Sequence, residues 1–210
     1  MLEGIEVLYH SSIRMEKDGH VIYFDPYGIK EEKNDADIIF CTHSHYDHFS
    51  EEDILKIKNE KTKILITTDL LERILKLGFR QEDITLAIPN SSYKVLDIEI
   101  NTIPAYNVDK QFHPKEKNWV GYILKLENKL LYIAGDTDIT KENKQVECDI
   151  ALLPIGGTYT TTYEEAAELA NIISPEIIIP MHYGDIVGEK EYGIKFKDLI
   201  NDRIKVEIQI

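Results

Sequence analysis

The stretch Phe40–Ser50 reads FCTHSHYDHFS, and it places His43, His45, Asp47 and His48 within six positions. The chain holds 7 histidines in all, so this is a strong local concentration. His43 and His45, two apart in an extended turn, present both imidazoles to the same side, where they can hold one cation. Asp47 and His48 follow on a tightening turn and can face a second cation beside the first. Imidazole nitrogen with carboxylate oxygen and no thiolate suits Zn²⁺, with Mn²⁺ and Fe²⁺ as alternatives. Two downstream groups match this set. Asp136 follows LLYIAG and can bridge two ions through its carboxylate, and His182 follows EIIIPM and can complete the second ion's shell.

The elements that must position these residues are short apolar strands. VIYFDP (21–26), ADIIFCT (36–42), KILITT (63–68), VLDIEINTI (95–103), WVGYILKLE (119–127), KLLYIAGD (129–136), DIALLPI (149–155), EIIIPM (176–181) and IKVEIQI (204–210) read as strands. A tight Glu127-Asn128 turn links two of them. Helices are expected near 51–60, 69–77, 162–173 and 195–201. The third opens with Thr162 as N-cap and Glu165 three residues on, and it stops at Ser174-Pro175. Near-continuously apolar strands alternating with helices imply buried mixed sheets covered by helices. His43, Asp136 and His182 all fall at strand ends, where a rigid scaffold carries functional groups on its loops.

Composition bounds the answer. The 210 residues, 43% hydrophobic and 30% charged, suit one globular domain over 1–210. No apolar run reaches the roughly 20 residues of a membrane span, and the N-terminus MLEGIEVLYHSS is acidic where a secretory leader is basic. Cys41 and Cys148 lack CxxC spacing, which predicts a cytoplasmic chain without disulfides and a core role for Cys41. The net charge of −14 opposes nucleic acid as a partner, leaving open a local basic groove.

The motifs THSHYDH, AGDTD and PMHYG, in that order, resemble the metal-binding motifs of the metallo-β-lactamase superfamily. LYHSSIRM…VIYFDPY and LLPIGGTYTTTYEEAAELANIISPEIIIPMHYG narrow the likeness to its small predicted metal-dependent hydrolases, related to ascorbate-6-phosphate lactonase. The resemblance runs from about Val7 to Gly188. It implies an α/β architecture, an αββα sandwich of two mixed sheets with helices outside and a binuclear site at one edge. It also implies an internal two-fold repeat, here split near residue 100. His10, before Ser11 and Ser12, resembles a turn near the metals, as a proton shuttle, hydrogen-bond partner or occasional ligand. Asp25 resembles a carboxylate that orients a metal-bound imidazole.

One departure from the family pattern concerns the first metal. Related chains often carry its third histidine where this chain reads PAYN, with Asn107 in that place. His113, six residues on in QFHPKEKNW, is the replacement expected here, on a surface loop from Asn107 to Asn118; the alternative is an open, weaker first site with Asn107 or water in that position. Lys110, Lys115 and Lys117 on that loop could attract an anionic substrate, or simply solvate it. Gly156-Gly157 either brings backbone close to a ligand or makes a turn.

The chemistry this implies is hydrolysis. Two ions about 3.5–4 Å apart lower the pKa of a shared water from 15.7 towards roughly 7. Asp47 would orient the resulting nucleophile, with one ion polarising the substrate oxygen. The first expectation is a two-metal hydrolase of a small-molecule ester, lactone or related substrate. A phosphodiesterase or nuclease is the alternative within the superfamily, and a non-catalytic metal-binding or sensing protein is a third reading. Oligomeric state stays open, with a homo-oligomer among the options.

Overall fold

The computed structural model describes residues 4–17 and 19–210. Met1–Glu3, part of the acidic N-terminus, and Asp18 lie outside the described residues. The chain divides into two compact units, Met1–Ile88 and Pro89–Ile210.

The first unit holds a six-stranded sheet in the order β1 (Ile5–Tyr9), β2 (Ser12–Lys17), β3 (His20–Phe24), β4 (Ile38–Phe40), β5 (Lys63–Thr67) and β6 (Ile84–Ala87). The first three strands pair antiparallel and the rest pair parallel. Parallel neighbours need crossovers: a helix-free segment, residues 25–37, joins β3 to β4, α1 (Glu51–Ile57) lies between β4 and β5, and α2 (Leu71–Lys76) between β5 and β6. Ile54, Ile57, Leu70 and Ile74 from these crossovers pack with Ile39, Cys41, Ile64 and Ile66 in one buried cluster. Cys41 is therefore a core residue, its thiol pushed well up by burial.

The second unit repeats the plan. Its seven strands are β7 (Ser92–Val95), β8 (Ile98–Pro104), β9 (Val120–Leu126), β10 (Lys129–Ile133), β11 (Ile150–Pro154), β12 (Ile177–Met181) and β13 (Lys205–Val206), adjacent in chain order. The pairs from β7 to β10 are antiparallel, and those from β10 to β13 are parallel. Here α3 (Tyr163–Ile173) and α4 (Tyr192–Asp198) make the last two crossovers. The Thr162 hydroxyl accepts from the Glu165 amide at 3.2 Å, and the Glu165 carboxylate accepts from the Thr162 amide at 2.8 Å. Such a cap contributes about 1 kcal/mol. Ser174 ends the helix in the left-handed region.

The repeat break falls at Ile88/Pro89, not near residue 100, because the β7–β8 hairpin belongs to the second sheet. The short strands β6 and β7 escape a sequence reading because their exposed and half-buried residues give no clean alternation. The expected strand over 204–210 pairs only at Lys205 and Val206.

In each unit the chemical groups share one sheet edge. His10, Asp25 and the His43–His48 loop follow the carboxyl ends of β1, β3 and β4, which run in one direction. Asn107, Asp136 and His182 follow the corresponding ends of β8, β10 and β12.

Candidate metal centre

In the first unit, β4 delivers the chain into a turn in which the amides of His48 and Phe49 both donate to the His45 carbonyl, at 3.1 and 2.9 Å. Ser50 then caps α1 by accepting from the Asp53 amide. Two closures in a row leave the His43–His48 segment little freedom. The rings of His43 and His45 meet with Nε2 and Nδ1 3.1 Å apart, as two donors to one cation would. The rings of His43 and His48 lie 4.1 Å apart between centroids. Asp47 Oδ2 sits 3.3 Å from His10 Nε2 and 3.7 Å from His48 Nε2.

Asp25 and Thr42 lock this arrangement from behind. His48 Nδ1 donates to Asp25 Oδ2 at 2.7 Å, while the amide and hydroxyl of Thr42 donate to Asp25 Oδ1 and Oδ2, each at 2.7 Å. Burial pushes the Asp25 carboxyl up, and the His48 and Thr42 contacts pull against it. With its proton given to Asp25, the Thr42 hydroxyl accepts from His43 Nδ1 at 3.0 Å. Both imidazoles are thereby held in the tautomer that presents an Nε2 lone pair, the form a metal ligand needs.

In the second unit the same logic recurs with a different partner. Asn107 Oδ1 accepts from both the backbone amide and the Nδ1 of His113, each at 3.0 Å, and the Asn107 amide donates to the His113 carbonyl at 2.8 Å. Asn107 Nδ2 meanwhile donates to the Tyr159 carbonyl at 2.9 Å. His113 is thus buried and oriented, with Nε2 3.1 Å from Asp136 Oδ2. His182 Nε2 lies 3.1 Å from the same oxygen. The Asn107–Asn118 segment is therefore not wholly a surface loop. It turns His113 inward, and the amide Val108 N–H and Lys110 both pair with Asp138 to hold it there.

Backbone conformation supports a built site. His10, Asp25 and His182 adopt left-handed φ values of 53°, 44° and 58°. Non-glycine residues enter this region at a cost and persist where the surroundings over-determine them. Gly156 lies against His182: an added Cβ would meet Val187 Cγ1 at 2.7 Å and His182 Nδ1 at 3.3 Å, with the His182 carbonyl nearer still. The glycine permits the close approach of its backbone to His182.

Sequence reasoning named His10, Asp25, His43, His45, Asp47, His48, His113, Asp136 and His182, and each unit gathers its own members of this set. It missed Thr42 and the role of Asn107. Thr42 carried a usable signal, since a hydroxyl directly before the first histidine is placed to reach its Nδ1. His20 is half-buried, 4.0 Å from Asp37. Lys110 and Lys115 are engaged by Asp138 and Glu142.

The donor set fits divalent transition metals: Nε2 lone pairs fixed by Nδ1 partners, and one carboxylate oxygen between two imidazole nitrogens. A family model described as the beta-lactamase superfamily domain matches residues 4–182. The chain belongs to the metallo-β-lactamase superfamily and is a metal-dependent hydrolase. A UPF0173 metal-dependent hydrolase of Pyrococcus furiosus is 32% identical over 181 residues, covering 82% of this chain and 78% of the relative. A solved structure from Parabacteroides distasonis is 31% identical with a TM-score of 0.82, covering 97% of this chain and 91% of that one. A metallo hydrolase of Ignicoccus hospitalis is 25% identical with a TM-score of 0.75, covering 97% and 93%. No helix among the described residues is long and apolar enough to cross a membrane.

Proposed function

We propose that the enzyme binds two divalent transition-metal ions, Zn²⁺ first among them, through His43, His45, Asp47, His48, His113, Asp136 and His182, and hydrolyses a small-molecule ester, lactone or related carbonyl compound. The observation that carries this reading is Asp136 Oδ2, 3.1 Å from the Nε2 atoms of both His113 and His182. A carboxylate oxygen facing two imidazole nitrogens at that distance is favourable when cations or protons lie among them, and Asn107 already occupies the Nδ1 proton of His113. The metals would supply an acidified water and a Lewis acid for the substrate oxygen.

The chain's own groups do the rest. Asp25, Thr42 and Asn107 hold three imidazoles in the ligating tautomer. Asp47 Oδ2 accepts the proton of the attacking water and orients it. His10 Nε2, 3.3 Å from that oxygen, takes the proton on and returns it to the leaving group. No serine or cysteine nucleophile is required.

A panel of γ-lactones, p-nitrophenyl esters and bis(p-nitrophenyl) phosphate, run separately with Zn²⁺ and Mn²⁺, tests the reading. Turnover of lactones or esters, abolished by chelation and restored by metal, is the expected result. Turnover of the phosphodiester alone would contradict the substrate class.

A further inference from the structure

The loop that carries His113 also carries an apolar surface. Phe112, its chain neighbour, is 45% exposed, and Tyr159 is 37% exposed. Their rings meet edge to face with centroids 4.6 Å apart. Val108, next to Asn107, is 58% exposed on the same loop. Clustered exposed apolar groups beside polar functional residues mark ligand-binding surfaces.

This aromatic pair is fixed relative to the candidate ligand. Asn107 holds the His113 ring through Oδ1 and the Tyr159 backbone through Nδ2, so one side chain sets both positions. The 2.8 Å bond from the Asn107 amide to the His113 carbonyl closes the loop under Phe112. A merely solvated loop needs no such bracing.

The charges nearby do not favour an anion. Lys110 is bound to Asp138, and Lys115 is shared by Glu142 and the Tyr106 hydroxyl. Lys117 lies over the Trp119 ring, and Asp109 and Glu116 outnumber it on the same loop, in a chain of net charge −14.

Building on the proposed metal-dependent hydrolase, we infer that Phe112 and Tyr159 form a subsite beside His113 for an uncharged alkyl or aryl group of the substrate. Phe112 and Tyr159, packed edge to face, offer their exposed ring surface to that group. The substrate class narrows to carbonyl compounds bearing an apolar substituent, and a carboxylate or phosphate at that position is disfavoured.

The test is binding of a hydroxamic acid series to the metal-loaded protein: acetohydroxamic, butyrohydroxamic, octanohydroxamic, benzohydroxamic and succinic monohydroxamic acids. Trp119 is the only tryptophan of the chain, and its ring lies 5.6 Å from that of His113, so its fluorescence reports occupancy. Full burial of a methylene corresponds to about a fourfold gain in affinity, so a half-open surface should give roughly twofold per methylene along the alkyl series. Succinic monohydroxamic acid should bind more weakly than butyrohydroxamic acid. Phe112→Asn should flatten the series while Phe112→Leu keeps most of it, with metal content equal to wild type in both. A length-independent series, or tighter binding of the succinic compound, overturns the subsite while leaving the hydrolase intact. Failure of every hydroxamic acid to bind the metal-loaded protein overturns the subsite, whereas failure of the protein to load metal at all overturns the metal reading on which it rests.

Discussion

Replacing Asn107 by alanine isolates the device that substitutes for a histidine at that position. The substitution removes the acceptor of two buried donors, the amide and Nδ1 of His113, and the donor to the Tyr159 carbonyl. Asn107 and His113 are 7% and 1% exposed, so water does not readily replace the lost oxygen. A buried group left unsatisfied costs roughly 1–3 kcal/mol, and two such donors with partial relaxation give about 2–4 kcal/mol of lost stability. The effect on metal is separate, because a free Nδ1 lets the imidazole rotate and change tautomer. Loss of such an orienting partner typically lowers metal affinity 10–100-fold. Asn107→Asp keeps the acceptor and should lose much less affinity, although its second oxygen then faces the Tyr159 carbonyl. Urea unfolding of the metal-free proteins measures the first effect, and competition against a chromophoric chelator measures the second. An Asn107→Ala protein that binds metal within twofold of wild type would refute the orienting role.

Asp47→Ala should reduce kcat by two or more orders of magnitude with little change in unfolding midpoint, because Asp47 is argued to handle the proton of the attacking water; equal loss of fold and activity would contradict this. Gly156→Ala forces a methyl into Val187 and the His182 carbonyl, so it should cost about 1–3 kcal/mol and weaken metal binding in parallel, read by thermal unfolding with and without metal. Burial acts to raise the Glu142 carboxyl, but hydrogen bonds from Lys115 and Tyr106 outweigh it and bring it to about 2. Its folded value lies below the ordinary one, so the Lys115–Glu142 tie stabilises the loop above about pH 4.5 and is lost as pH falls towards 2. Trp119 fluorescence should show a transition in that window that Glu142→Gln removes.

The legible part of this protein is the part governed by local pattern. His43, His45, Asp47 and His48 stand together in sequence, and Asp136 and His182 each follow an apolar strand, so residue type and position were enough to single them out as candidates. The Thr162–Glu165 cap and the stop at Ser174 are likewise set by neighbours three residues apart or fewer. The repeat was implied by the family resemblance, but its boundary was not legible, because β7 lies in a polar stretch whose membership is decided by pairing with β8. Asn107 was read as a gap in the ligand set. Its actual work depends on the chain between 107 and 113 folding back, which no periodicity encodes. The lysines of that loop looked available for an anion because Asp138 and Glu142, which hold Lys110 and Lys115, are 28 and 27 residues away.

The central claim is that these histidines and aspartates hold two catalytic ions. Metal analysis of freshly purified, chelator-free protein tests it most directly, with His113→Ala and Asp136→Ala measured alongside. The account predicts close to two transition-metal ions per wild-type chain, a fall towards one in His113→Ala, and a deficit at both positions in Asp136→Ala. A well-folded wild-type chain that takes up no Zn²⁺, Mn²⁺ or Fe²⁺, or an Asp136→Ala protein with full metal content, would contradict it.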